Sequence, residues 1–269
     1  MKYLNTLPLV AGLEAWREVE LVAAAPSRLA PMLRSGDVDV ALASVVDAVG
    51  GDSPLALLPA GMIGCDGPTL TVRLYSRVPL DRATTLDADS DSHTSVVLAR
   101  LVLATVFGAK PVVMAFDAGE QHSAARSPET LLLIGDKVVT DAPAEAEYPH
   151  QVDLGEAWKG LTGLPFVYAL WMCREQDAGS ERIAVAGRVL ERQRLRNQMR
   201  LDWIVDRFAI ERRWPADLAR HYVRDLLRYD VGEREREAVE RFLGEAGEMG
   251  LLPRGEVRWA DAARAETES

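Results

Sequence analysis

The spacing of apolar residues changes period several times along the chain, and each change marks an element. Leu9, Leu13 and Trp16 fall on one helical face, with Thr6 placed to cap that helix and Pro8 in its first turn, where a missing N–H costs nothing. Residues 19–24 form a short apolar run of strand length. Pro26-Ser27 opens a second helix, capped by Ser27; Leu29, Met32 and Leu33 make its stripe and Gly36 stops it. Residues 38–43 are apolar with a single acid, the pattern of a strand covered on both faces, and they end at Ser44. Apolar residues 55–58 and 62–63 lead into Gly64-Cys65-Asp66-Gly67-Pro68, read as a sharp, close-packed crossing. Residues 69–76 are a strand rich in β-branched side chains.

The same grammar then repeats. Residues 83–86 read as a strand, 89–95 as a hydroxyl-dense loop, 96–107 as a helix and 111–116 as a strand. A polar stretch, 118–129, carries His122 and Arg126; a buried strand, 131–134, ends in Gly135-Asp136. A short helix runs from Asp153 to Thr162-Gly163, and residues 164–173 form a long apolar strand read as the return crossing, its aromatics as core. Beyond Ser180 the helical period predicts helices over 181–199, 201–210, 215–224 and 233–248, with residues 226–229 as a link. The arginines at 188, 192, 194, 196 and 200 read as a solvated stripe. The expected division is lobe one at 1–67 plus 174–269 and lobe two at 68–173, with a ligand cleft between them.

Chemistry-bearing residues collect at the ends of these elements. Asn5 sits at the mouth of the first helix, where it either caps or faces an anion; its amide can donate to a carboxylate and accept from a hydroxyl at once. Ser44 lies at a strand's carboxyl end, where open α/β sheets bind ligands, and reads equally as a turn serine. Ser92, Thr94 and Ser95 crowd a second helix N-terminus, more hydroxyls than one cap needs. Asp136 either caps or faces the cleft.

Composition narrows the partners. The 269 residues are 48% hydrophobic and 27% charged, ordinary for a soluble globular protein with room for two lobes. A net charge of -10 argues against general nucleic-acid or anionic-membrane binding, but not against a small anion held by helix ends. Cys65 and Cys173 read as free thiols in a reducing compartment, so no disulfide framework, metal site or other cofactor is expected. No apolar run is long enough to span a membrane and no leader pattern is visible, which makes the cytoplasm the expected location.

Several segments together carry a more specific signal: Tyr3-Leu4-Asn5-Thr6-Leu7-Pro8-Leu9, Val38-Asp39-Val40-Ala41-Leu42, Ile63-Gly64-Cys65-Asp66-Gly67-Pro68, Thr94-Ser95, Leu133-Ile134-Gly135-Asp136, and Asp153-Leu154-Gly155 with Trp158 and Thr162-Gly163-Leu164-Pro165-Phe166-Val167. This set resembles the chorismate dehydratase family of menaquinone biosynthesis by the futalosine route, over roughly residues 3 to 173 by motif and over the tail by layout. The resemblance implies an α/β protein with a two-lobed periplasmic-binding-protein type II-like fold and a C-terminal helical segment. It implies conversion of chorismate to 3-[(1-carboxyvinyl)oxy]benzoate and water, without a cofactor. It implies catalytic roles for Asn5 and Asp136, and substrate binding by Tyr3, Thr6, Ala43, Ser44, Ser92, Thr94 and Ser95. The expectation is that the substrate's own side-chain carboxylate takes the proton while Asn5 holds it or the leaving hydroxyl; the rival uses Asp136 as acid or base. Two alternatives stand beside this reading. A sister family, the dihydroxynaphthoate synthases of the same route, shares the Asp-Leu-Gly block but uses a catalytic histidine, and none of the four histidines here falls at the Leu-Ile-Gly-Asp segment. A non-catalytic small-anion binder would use the same fold. In the family an apolar strand precedes Tyr-Leu-Asn; here residues 1–4 are expected to form a shortened strand, or the start to lie upstream, with a loss of stability.

Overall fold

A computed structural model describes residues 3–17, 19–89, 93–116 and 127–260. The chain opens with α1 (Leu7–Val10), α2 (Pro26–Ser35), β1 (Val40–Ser44), β2 (Leu55–Cys65) and β3 (Val72–Ser76). It continues through β4 (Thr85–Asp89), α3 (His93–Val106), β5 (Val112–Phe116), β6 (Thr130–Ile134), α4 (Lys137–Thr140), β7 (His150–Asp153) and α5 (Leu154–Thr162). Then come β8 (Phe166–Arg174), α6 (Glu181–Gln198), α7 (Leu201–Phe208), α8 (Ala216–His221), β9 (Leu227–Arg228) and α9 (Glu233–Glu248). The strands make two sheets, ordered β1-β8-β2-β9 and β5-β4-β6-β3-β7. Every pair in the first is antiparallel; in the second, β4 runs parallel to both neighbours and β3 antiparallel to both of its own.

Several elements differ from the sequence expectation. The first helix is broken: residues Leu4–Thr6 form a 3-10 turn, α1 is one turn long, and Gly12 at φ 89° ends the helical path before Leu13. Leu4, expected in a shortened strand, belongs to that turn; Met1 and Lys2 lie outside the described residues. Thr6 does not cap α1, because its hydroxyl donates back to the Tyr3 carbonyl at 2.9 Å. Residues 19–24 pair with no strand, and Leu21 and Val22 are exposed. As a result β1 is an edge strand. Its residues alternate half-buried and buried instead of being covered on both faces, as an edge strand facing a groove must. Residues 55–65 are one strand, β2, with a bulge between Leu58 and Met62. β8 pairs along its length between β1 and β2, so the chain is back in the first sheet at Phe166, not after Cys173. Residues 226–229 are more than a link, since β9 sets Arg228 and Leu227 opposite Gly64 and Cys65.

The two crossings between sheets are tied together. Asp153 caps α5 by accepting the N–H groups of Gly155 and Glu156, and its carboxylate also accepts those of Thr69 and Leu70, on the first crossing, at 3.0 and 2.7 Å. Lys159 bridges Asp66 (2.5 Å) to the Gly163 carbonyl (2.8 Å), and Arg234 of α9 reaches the same two groups. Edge-on aromatic contacts among Trp158, Phe166 and Phe242 fill the core beneath. A second apolar cluster packs α6, α7 and α8 on Leu4, Leu9 and Leu13. Among the described residues no helix is long and apolar enough to cross a membrane.

Candidate functional site

The sheets enclose a cavity of about 940 Å³ whose wall takes residues from both. That is the size range of a small-molecule site. Its charged wall residues, Glu20, Asp37, Asp39, Glu181 and Arg182, belong to residues 19–39 and to α6, and Arg182 pairs with Asp39 at 2.8 Å. The wall formed by Tyr3, Asn5, Thr69, Thr71, Ser95 and Tyr222 is uncharged and dense in hydroxyl and amide groups.

Local structure explains how Asn5 arrives there. The buried side chains Gln193 and Asn197 of α6 donate to the Ala11 carbonyl at 2.5 and 2.9 Å, and Gln193 accepts from the Trp16 indole at 2.8 Å. Asp136 accepts the Leu4 N–H at 3.3 Å. Clamped from both sides, the Leu4–Thr6 turn presents Asn5 to the cavity, with the amide oxygen buried and lacking a hydrogen-bond partner. A buried acceptor without a partner is rare in a folded protein and marks a place where a ligand donor fits.

The other residues singled out from sequence separate into two groups. Tyr3, Thr6, Ser44 and Ser95 line the cavity with Asn5. Tyr3 packs against Gly135, where a Cβ would stand 2.8 Å from its ring, so the glycine at φ 62° permits the approach. Ser95 stands in the first turn of α3, a 14-residue helix whose leading N–H groups have no partner within the helix. Thr94 and Ala43 do not line the cavity. The Thr94 hydroxyl donates to the Tyr168 carbonyl at 2.9 Å, pinning the start of α3 to β8, and Ala43 is buried in the main core. Asp136 is also absent from the wall, though its neighbour Gly135 is on it. Burial pushes its carboxyl above the usual carboxylate range, while the Leu4 N–H works the other way. Ser92, His122 and Arg126 lie outside the described residues.

Sequence reasoning missed Thr69, Thr71, Tyr168 and Tyr222, all buried and all on the cavity wall. The threonines read as strand formers and the tyrosines as core or helix stripe, since no local signal distinguishes a buried hydroxyl that faces a cavity. The Tyr168 hydroxyl, beside Thr69 and the Cys65 thiol, makes no hydrogen bond of full geometry. Cys65 itself is pushed up to about 12 by burial and then by the Asp153 charge, so it is an inert thiol at neutral pH. Among the described residues no cluster of His, Cys, Asp and Glu could hold a metal ion.

Two α/β units around a cleft, with a helical tail, define a substrate-binding-protein-like fold, and known structures bear this out. A crystal structure of an Archaeoglobus fulgidus protein superposes with a TM-score of 0.62 at 17% identity, covering 93% of this chain and 96% of that one. The periplasmic aliphatic sulphonate binding protein SsuA from Escherichia coli superposes at 0.60 and 14% identity, covering 94% and 86%. At such identities the likeness is one of fold. The sequence goes further: it matches the profile of the menaquinone biosynthesis family over residues 1–248, and the chain belongs to that family. A chorismate dehydratase from Thermus thermophilus is 29% identical over 210 residues, which is 72% of this chain and 75% of that one.

Proposed function

We propose that the protein is a chorismate dehydratase, a hydro-lyase that converts chorismate to 3-[(1-carboxyvinyl)oxy]benzoate and water. The observation that carries this reading is Asn5, whose buried amide oxygen meets the uncharged, hydroxyl-rich part of the cavity wall in a chain of the menaquinone biosynthesis family. In the reaction the ring carbon bearing the ether loses its proton and the neighbouring carbon loses its hydroxyl. The C–H electron pair becomes ring π bonding, the C–O bond breaks, and the hydroxyl leaves as water with the proton. Aromatisation drives the step downhill, so the protein need only position and polarise.

The assignments follow from the wall. Asn5 accepts from the leaving hydroxyl or orients the substrate's side-chain carboxylate, which takes the proton. A second carboxylate sits at the start of α3 beside Ser95, where the dipole of a long helix favours an anion. Tyr3, Thr6 and Ser44 complete the lining. The sequence-based pairing of two helix ends shrinks to one, since α1 has a single turn and little dipole. Thr94 acts as a tie to β8. Asp136 supports the Asn5 turn instead of meeting substrate, because its oxygen is engaged with Leu4 behind the wall. The two sheets act as lobes that close on the ligand and exclude water. The reaction is read as cytoplasmic, which the two buried free thiols support.

The test is direct. Protein and chorismate are mixed, the diene absorbance is followed, and the product is weighed by mass spectrometry. Loss of one water with the enolpyruvyl group retained is expected. Asn5→Ala is expected to lower kcat by about a hundredfold or more, the usual effect of removing a preorganised polar group at the reacting centre. Asp136→Asn, which keeps an oxygen for the Leu4 N–H, is expected to retain most of the turnover. Near-normal rates in the first variant, or a collapse in the second, would transfer the chemistry to Asp136.

A further inference from the structure

The mechanism leaves one demand unmet. As the C–O bond breaks, negative charge gathers on the departing oxygen, and a hydrogen-bond donor must meet it. The Asn5 amide oxygen can only accept from that hydroxyl. Two buried hydroxyls on the cavity wall can donate. Thr71 and Tyr222 are each 1% exposed, both line the cavity, and their side-chain oxygens lie 2.6 Å apart. Two hydroxyls carry two protons and share only one between themselves. Among the described residues neither oxygen makes a second hydrogen bond of full geometry, and the Asn5 amide oxygen on the same wall takes none. The second proton is left for whatever fills the cavity, since a buried donor needs a partner.

Both hydroxyls are held in place by their own backbone. Tyr222 begins a single π-helical turn, Tyr222–Leu226, a rare form that recurs at functional sites. Its ring stacks on Trp214, centroids 5.0 Å apart and planes at 17°. Thr71 closes a γ-turn: its N–H donates to the Thr69 carbonyl at 2.8 Å across Leu70, whose φ is 66°. Such a turn is strained, and strain of this kind gathers at sites of function. The Thr71 carbonyl in turn accepts the Gly135 N–H at 2.8 Å, and Gly135 is where the Tyr3 ring packs. The pair therefore shares one stretch of wall with the turn that carries Asn5. We propose that the Thr71–Tyr222 hydroxyl pair is catalytic: its unshared proton donates a hydrogen bond to the departing hydroxyl oxygen and stabilises the charge that grows there. This rests on the chorismate dehydratase reading. The C–O electron pair stays on the oxygen, the proton taken from the ring carbon by the substrate's carboxylate passes to it, and water leaves. The pair's own protons stay where they are. Burial pushes the Tyr222 phenol up, so it remains a neutral donor.

Thr71→Val and Tyr222→Phe each remove one hydroxyl and keep the shape of the side chain. Each leaves the other hydroxyl with a proton of its own to give. Either single variant is therefore expected to lower kcat with chorismate less than about fivefold, and the double variant about a hundredfold or more, well beyond the product of the two. KM is expected to change less than about twofold throughout, because the donor counts most once the charge has formed. Thr71→Ser in the Tyr222→Phe background keeps a hydroxyl and is expected to turn over at the rate of Tyr222→Phe alone. A double variant no worse than the product of the singles, a loss confined to KM, or no recovery with serine would overturn the proposal. So would an alkaline wing in the wild-type kcat profile that vanishes in Tyr222→Phe, since the phenol would then be transferring a proton. Wild-type protein that leaves chorismate unchanged removes the reaction assignment and the proposal with it. Turnover that survives in the double variant removes the proposal alone.

Discussion

A single missing methyl group shows how tightly the crossing between the sheets is built. A Cβ on Gly155 would lie 2.6 Å from the Cys65 sulfur and 2.6 Å from the Gly67 carbonyl oxygen. Glycine to alanine in a helix ordinarily gains up to about 1 kcal/mol. Here the contact with backbone cannot relax, and overpacking of this kind costs about 1–3 kcal/mol. Gly155→Ala is therefore expected to be net destabilising, with a lower urea midpoint and an unchanged slope; a gain in stability would refute the contact. The same spot explains why an aspartate precedes that glycine. Asp153 accepts four N–H groups from two segments more than 80 residues apart, a demand that no neutral side chain of its size meets. Leu70, beside it, holds φ at 66°, a conformation unfavourable for a bulky residue, and donates its N–H to Asp153.

At the scale of elements, the start of α3 is the joint to watch. Thr94 ties it to β8, and His93 reaches across to Asp47, just past the end of β1, with Nδ1 to Oδ1 at 3.0 Å. Asp47, through its hydrogen bond and its charge, raises the His93 pKa above the ordinary value. A raised folded-state pKa means that the pairing stabilises fully below the unfolded value of about 6.5 and is lost as pH rises through the folded one. The melting temperatures of wild type and His93→Ala are thus expected to differ at about pH 6 and to converge in alkaline buffer, where the histidine is neutral. A gap that widens with pH would contradict the pairing. His93 is 44% exposed on its side chain, so added salt should shrink the gap as well.

For the whole molecule, the arrangement of two sheets joined by two tied crossings favours closure about those crossings. Lys159 and Arg234 both hold Asp66 and the Gly163 carbonyl, so the crossings are stapled where such closure would hinge. Small-angle scattering with saturating reaction product is expected to show a smaller radius of gyration than the free protein. An unchanged radius would mean that the cleft is already closed, or that binding needs no movement.

Much of this was legible in the order of residues because it is local or repeats with a period. The helices of the tail, the strands at 72–76, 112–116 and 130–134, the short helix that follows Asp153 and the Gly36 stop all follow from spacing and turn chemistry that act within a few residues. Asn5, Ser44 and Ser95 were also visible, since element ends announce themselves. What needed the tertiary structure was every contact made across long sequence separation. Gln193 and Asn197 stand in sequence among arginines read as a solvated stripe, yet they are buried and clamp residue 11. Thr71 and Tyr222 are 151 residues apart and meet at 2.6 Å. Ala43 and Thr94 lie beside site residues in sequence yet serve the core and a strap, because alternation in a strand and rotation about a helix send neighbours to different surroundings. The sequence by itself determined most of the elements, the family and the ends where ligand groups could gather. Only packing decided which polar atoms face the cavity, because a side chain's direction is settled by what the rest of the fold places against it.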